Sequence, residues 1–293
     1  MFERVGAVSK MRLRGLLAAG ECLVNGAPGK AGYHVQAGDR IEIAVDLSAA
    51  TSMKPEPLPL EILYEDSKII VVAKRAGMLV HPTRGVKSGT LLNALSHYLN
   101  KSLESKVEEI FSDSQLTTHN SPHSFIRPGL IHRLDKQTSG LMVIAKTSAA
   151  HRILAEQFQR KTIQKKYIAI TEGVLESDSG VIDAPIGYDE NLRQWSVQEN
   201  GKPAETRFRV LERREDSTLL ELEPVTGRTN QLRIHCAFIG HPILGDEARG
   251  GRAFSRLCLH AARLRFRHPA SGEWMDFKSA LPAEMRRFLN QPY

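Results

Sequence analysis

Long hydrophobic runs are missing from this sequence. Its apolar stretches, such as Leu141-Met142-Val143-Ile144-Ala145, fall far short of the roughly 20 residues a membrane helix needs. Nor does the chain open with a basic region, an apolar core and a cleavage site, so a cytoplasmic location is expected. Cysteine is scarce. Cys22, Cys236 and Cys258 are too far apart for a disulfide framework or a paired Cys-x-x-Cys metal site, and read as reduced packing residues. A Gly-rich phosphate loop is also missing. His119 and His123 have the i, i+4 spacing of a helical metal pair, but Pro122 and polar neighbours argue against a helix there. The chain is therefore expected to work with no metal and no nucleotide cofactor.

What is present is an excess of positive charge. Forty Lys and Arg against 33 Asp and Glu give a formal charge of +7, which favours a polyanionic partner. The cations fall into short patches, Lys10-Arg12-Arg14, Arg160-Lys161-Lys165-Lys166, Arg213-Arg214 and Arg249-Arg252-Arg256, rather than one tail. Such scatter suits a folded surface following a nucleic-acid backbone better than a disordered basic arm.

At 293 residues the chain has room for one large domain and a small one. Residues 1–46 read as the small unit: a helix from Lys10 to Ala19 stopped by Gly20, a strand at Cys22-Leu23-Val24, a tight turn at Asn25-Gly26, and an alternating strand at Ile41 to Val45. Residues 47–59, polar and rich in Pro, read as a linker. From residue 60 to 293 the pattern is that of a larger α+β domain. Two strands are expected around Ile62–Lys74, the second continuously apolar and buried on both faces. A helix from Thr90 to Leu99 and a polar loop over residues 100–125 follow. A buried strand at Leu141–Ala145 leads to a helix at Ser148–Arg160. Beyond it lie strands near Tyr167–Ile170, Gln194–Gln198, Glu205–Leu211 and Thr218–Pro224, then a helix opening at Gly227 to His235.

Between Arg127-Pro128-Gly129 and the apolar run at Leu141 lies a polar turn carrying one carboxylate, Asp135. A loop braced by buried elements is where catalytic groups are commonly held, fixed by the scaffold yet reachable. The same Asp, three residues before Thr138, equally suits a side-chain cap of a short turn.

The string His132-Arg133-Leu134-Asp135-Lys136-Gln137-Thr138-Ser139-Gly140-Leu141 resembles the signature of the RluA-type pseudouridine synthases. Other motifs of that family follow its order. Tyr64-Glu65-Asp66 through Ile69-Ile70-Val71-Val72 to Gly77-Met78-Leu79-Val80-His81-Pro82 matches its opening, with Arg75 where Pro is usual. Lys165-Lys166-Tyr167-Ile168-Ala169 and Gly227-Arg228-Thr229-Asn230-Gln231-Leu232-Arg233-Ile234-His235 match two further motifs, with Asn230 in place of the usual His. The resemblance implies a largely antiparallel mixed sheet flanked by helices and loops, and an isomerase that turns uridine into pseudouridine in RNA by flipping the base out. It also implies roles: Asp135 as nucleophile, Arg233 as the guanidinium that keeps it ionised by lowering its pKa, and Tyr167 stacking on the base and serving as a proton acceptor. Leu232 would line the pocket and Arg133 would fill the space the base vacates, with His132, Thr138 and Gln231 beside the substrate.

The small N-terminal unit resembles the end of the RNA-binding domain named after ribosomal protein S-four, through Val24-Asn25-Gly26 and Gly38-Asp39-Arg40-Ile41; a preceding helix usual in that domain is not matched, so the domain is expected either to be reduced or to start upstream. Lys10, Arg12, Arg14 and Lys30 are its candidates for RNA contact. Ribosomal RNA is the expected partner, transfer RNA a second, and the chain is expected to act as a monomer. Loss of Asp135, Tyr167 or Arg233 would instead mark a non-catalytic RNA-binding factor, and a second acid at suitable spacing would mark a glycosidase; the first set is intact and no motif offers the second.

Overall fold

The computed structural model describes residues 10–30, 32–43, 54–83, 85–111, 127–191 and 193–290. The first described unit is α1 (Lys10–Ala18) followed by β1 (Cys22–Val24), β2 (Ala27–Pro28) and β3 (Ile41–Ile43), paired in the order β2-β1-β3. Asn25 and Gly26 both take positive φ, 53° and 80°, as a tight hairpin turn requires. The Asn25 amide then holds the second turn, donating to Asp39 at 2.8 Å and accepting from the Arg40 N–H at 2.9 Å.

A ten-stranded sheet dominates the rest. Its first part is β4 (Glu61–Glu65) and β5 (Ile69–Lys74), then α2 (Leu91–Phe111), β6 (Gly129–Leu130), β7 (Ser139–Ala145), α3 (Ser148–Gln159) and β8 (Gln164–Glu172). Next come β9 (Ser179–Asp183), a separate hairpin of β10 (Ile186–Asp189) and β11 (Gln194–Val197), the long pair β12 (Glu205–Arg213) and β13 (Ser217–Pro224), α4 (Gln231–Phe238), β14 (Leu259–Arg267), β15 (Trp274–Lys278) and α5 (Ala283–Asn290). The strand order is β4-β5-β7-β14-β8-β13-β12-β9, with β15 beside β14 and β6 beside β7. All pairs are antiparallel except β14 with β7.

Strands β5 and β7 are buried on both faces, which explains their unbroken apolar sequences. Ile70, Val72, Met142 and Ile144 pack against Leu91, Leu95 and Leu99 of α2. Ile69, Val71, Leu141 and Val143 pack against Ala150 and Leu154 of α3. Helix α3 starts where Thr147 caps it, its side chain accepting from the Ala150 N–H at 3.2 Å.

The structure departs from the sequence reading in two places. Helix α2 runs on to Phe111, through residues read as loop; Leu103, Val107 and Ile110 continue the helical apolar spacing from Leu99, a signal overlooked among the polar Ser, Lys and Glu residues between them. His119 and His123 lie outside the described residues. Residues 54–59, read as linker, are fastened to the start of α2: the Asn93 amide donates to Lys54 O at 2.8 Å, and Glu56 N–H donates to Asn93 O at 3.1 Å. The three cysteines are free and buried. Burial pushes the thiols of Cys236 and Cys258 up to about 12, leaving them unreactive.

Strand β7 must pass β14 closely to place Asp135, and Gly140 permits it. Its φ is +118°, and a Cβ there would land on the backbone of Ala261. Gly272 also has positive φ, 74°, but open space around it. Gly140→Ala should therefore cost about 3 kcal/mol or more, and Gly272→Ala only about 1. Thermal or denaturant unfolding of both variants measures the difference; equal losses would mean that the β7–β14 approach does not demand glycine.

Candidate active site

Asp135 sits in the loop entering β7, just after Leu134, which is buried among the apolar side chains under α2. A backbone bond, Thr138 N–H to Asp135 O at 3.1 Å, closes the turn. The carboxylate is therefore not spent as a cap, and among the described residues it accepts no hydrogen bond. It faces a cavity of about 580 Å³ lined by Tyr167, Leu232, Thr138 and Arg133, with Lys165, Arg207 and Arg228 adding positive charge.

Two elements fix the loop from below. Lys74, at the end of β5, is 2% exposed and donates from Nζ to Met78 O at 2.9 Å, Arg75 O at 3.0 Å and Lys136 O at 3.2 Å. Gly77 N–H bonds the same Lys136 carbonyl at 2.8 Å. The opening motif is thereby tied to the Asp135 turn, and burial lowers the Lys74 pKa to about 8 despite the nearby Asp135 charge.

Helix α4 supplies the other side. Asn230 precedes it in the left-handed region, φ 54°, which Asn tolerates better than most residues. Arg233, one turn in, donates to Asp246 through Nε at 2.7 Å and Nη2 at 2.5 Å, and to Asn230 Oδ1 at 3.2 Å. Asp246 is 1% exposed, and Arg249 stands 3.8 Å from it. Arg233 is thus held by Asp246 and reaches Asp135 through its field rather than a direct bond.

The expected depression of the Asp135 pKa is corrected by this geometry. Loss of water raises it, and that effect outweighs the lowering by Arg233, Arg133, Arg249 and Lys74. The surroundings of Tyr167 oppose the proton-acceptor role expected of it. Burial first, and the Asp135 charge second, push its phenol well above the usual tyrosine range, so it stays neutral. Tyr167 packs against the apolar clusters on both sides of it, which presents a rigid ring to the cavity.

The other expected site residues divide. Arg133 is exposed at the cavity, and Leu232 is buried in its wall. Thr138 is 2% exposed and its buried hydroxyl lacks a partner among the described residues, so Arg133 is the one of the two whose polar group is open to a ligand. Gln231 and His132 also border the cavity but are committed to the scaffold. Gln231 accepts from Thr226 and Arg228 and donates to Glu205 O and Thr206. His132 accepts from the Val143 N–H at 3.1 Å and stacks on Phe158 at 4.6 Å; burial and the Lys165 charge push its pKa down to about 3. Lys74 and Asp246 were given no role by the sequence reading, and Arg249 only a place in a basic patch; what brings all three to the site is tertiary pairing that no sequence spacing reports.

A family profile described as RNA pseudouridylate synthase matches residues 68–238, the span from β5 through α4 that builds this cavity. The chain belongs to that family. As an RNA pseudouridylate synthase family member it is 39% identical over 285 residues to an uncharacterized RNA pseudouridine synthase of Bacillus subtilis, covering 96% of this chain and 88% of that protein. It is 38% identical over 267 residues to the ribosomal large subunit pseudouridine synthase D of Pasteurella multocida, covering 85% and 76%. Among solved structures, human RNA pseudouridylate synthase domain containing 4 superposes with a TM-score of 0.60 at 26% identity, over 78% of this chain and 91% of that one.

The buried Asp246–Arg233 pair yields a test. Asp246→Asn removes one charge of a desolvated pair and leaves two guanidiniums facing each other, which should cost about 3 kcal/mol of stability. Arg249→Gln in the same background should recover part of that loss by removing the repulsion. Denaturant unfolding of the single and double variants checks this, and a loss under about 1 kcal/mol would show that Asp246 does not hold the guanidinium.

Proposed function

We propose that this pseudouridine synthase acts on ribosomal RNA, that Asp135 is its nucleophile, and that Arg233, Tyr167 and Leu232 complete the reacting pocket. The observation that carries the reading is the Asp135 carboxylate itself: desolvated, free of hydrogen bonds among the described residues, ringed by cations, and facing a cavity with an aromatic wall. A carboxylate so placed attacks C1′ of a uridine ribose as the C1′–N1 pair leaves with the uracil. The detached base turns, C5 bonds to C1′ and displaces the carboxylate, the C5 proton is lost and N1 gains one. No atoms or electrons are gained or lost overall. Tyr167 acts through its ring, against which the base stacks, and not as a phenolate.

The target uridine must leave its stack to reach the cavity, at a cost of a few kcal/mol. The cations at the cavity rim, Arg133, Lys165, Arg207 and Arg228, offset part of that cost on the phosphates. Relatives named ribosomal large subunit pseudouridine synthase favour ribosomal RNA over transfer RNA as the substrate. We place the unit over residues 10–43 with the small RNA-binding domains of the S-four type, with residues 60–293 as the catalytic domain and the chain acting as a monomer. Arg14 and Lys30 are exposed there, as RNA contact requires; the side chains of Lys10 and Arg12 lie outside the described residues.

The test is tritium release from C5-tritiated uridine in unmodified ribosomal RNA. The intact protein should release tritium and Asp135→Asn should release none. The variant should keep its fold. A folded-state pKa above the unfolded 3.8 means the buried carboxyl favours its protonated form, so its contribution is fully present below pH 3.8 and lost as pH rises through the raised value. At neutral pH the neutral amide should thus melt no lower than wild type. Release by Asp135→Asn at the wild-type rate would rule out Asp135 as nucleophile, and RNA binding without release by either protein would indicate a binding factor.

A further inference from the structure

A second basic surface lies away from the cavity. Lys166 and Tyr167 are consecutive on β8 and so point to opposite faces of the sheet. Tyr167 lines the reacting cavity, whereas Lys166 lines a separate open cleft of about 340 Å³ with Arg263, Lys278 and Glu221. The register explains the cluster. Arg263 of β14 stands directly opposite Lys278 of β15 on one side and Lys166 of β8 on the other, so three cations lie in one row across three strands. Like charges placed directly opposite one another destabilise a sheet. The neighbouring rows continue the pattern, with Arg265 opposite Asp276 and Arg267 opposite Trp274.

Two carboxylates answer this charge. Asp276 pairs with both ends of the Arg263 guanidinium, and Glu221 is shared by Lys166 at 2.7 Å and Arg209 at 3.2 Å. Arg265, Arg267 and Lys278 have no carboxylate within 4.0 Å among the described residues. Arg265 and Arg267 are instead set over the ring of Trp274, 4.5 and 4.6 Å from its centre, and Trp274 is 41% exposed. Arg267 is further anchored by a bond to Gly272 O at 2.9 Å. Their guanidiniums are thus ordered in advance, without being neutralised.

We propose that this β14–β15 face is a second RNA-binding surface, which takes the phosphate backbone of the substrate RNA beyond the target nucleotide. The proposal rests on the reading of the cavity as an RNA-modifying site. Neighbouring strands about 4.8 Å apart and a two-residue repeat of about 6.7 Å set out the cations as a grid on the scale of successive phosphates. Guanidiniums fixed on an aromatic ring lose little freedom on meeting an anion, which favours binding without base specificity. The surface would hold flanking RNA while the cavity holds the uridine.

The test compares wild type with the triple variant Arg265→Ala, Arg267→Ala, Lys278→Ala on in vitro transcribed ribosomal RNA, by affinity across a salt series and by single-turnover tritium release. The triple variant should show a slope of log affinity against log salt shallower by about 2, and bind about tenfold more weakly at about 0.15 M salt. Its release rate at saturating protein should match wild type. The charge-preserving pair Arg265→Lys, Arg267→Lys should keep the wild-type slope. A triple variant with wild-type slope and affinity would overturn the proposal, as would a Lys pair that loses as much slope as the triple. If wild type released no tritium while the slopes still differed, the isomerase reading would fall and the surface would stand.

Discussion

A carboxylate withdrawn from water stays ionised only if positive charge surrounds it, and the chain solves that problem at Asp135 with four cations from separate elements. Arg133 comes from the same loop, Lys74 from the end of β5, Arg233 from α4 and Arg249 from the turn after Asp246. Their combined field is smaller than the cost of lost water, so the carboxylate remains poised rather than strongly acidic. A group so placed is short of hydrogen bonds, as suits an attacking nucleophile.

The rest of the architecture keeps those charges in place. Asp246 is buried to hold Arg233, so that the guanidinium neither collapses onto Asp135 nor swings to solvent. Lys74 spends its three donors on carbonyls of two loops, joining the opening motif to the Asp135 turn across 62 residues of sequence. Close approach of β7 and β14 at Gly140 sets the level at which the turn emerges. Tyr167 bridges two apolar clusters, so its ring is rigid and its phenol is kept from ionising. Dispersed parts of the chain thus serve one short loop.

Much of this was legible in the sequence where the signal was local. The apolar runs at Ile69–Val72 and Leu141–Ala145 announced strands buried on both faces, and Asn25-Gly26 announced its hairpin. The motif strings led to Asp135, Tyr167, Leu232 and Arg233, which the fold gathers around one cavity or its immediate field. What escaped was tertiary. The pairing of β14 with its parallel partner β7 spans more than a hundred residues of sequence, whereas the extension of α2 was local and legible, since Leu103, Val107 and Ile110 continue the spacing of Leu99. No spacing relates Arg233 to Asp246 or Lys74 to Lys136, and the direction of the Asp135 shift depends on burial, which residue types alone do not report. Gln231 and His132 sit where the motif put them, yet their polar groups are turned to neighbouring strands because those strands have backbone and side-chain groups to satisfy.

The measurement closest to this account is the ionisation of Asp135 itself, followed by carbon NMR on protein with labelled Asp carboxyls, with Asp135→Asn used to assign the signal. The midpoint should lie above 3.8 in the wild type and rise further in Arg233→Gln, since desolvation would then act against one cation fewer. A wild-type midpoint at or below 3.8, or one that does not move when Arg233 is neutralised, would contradict it.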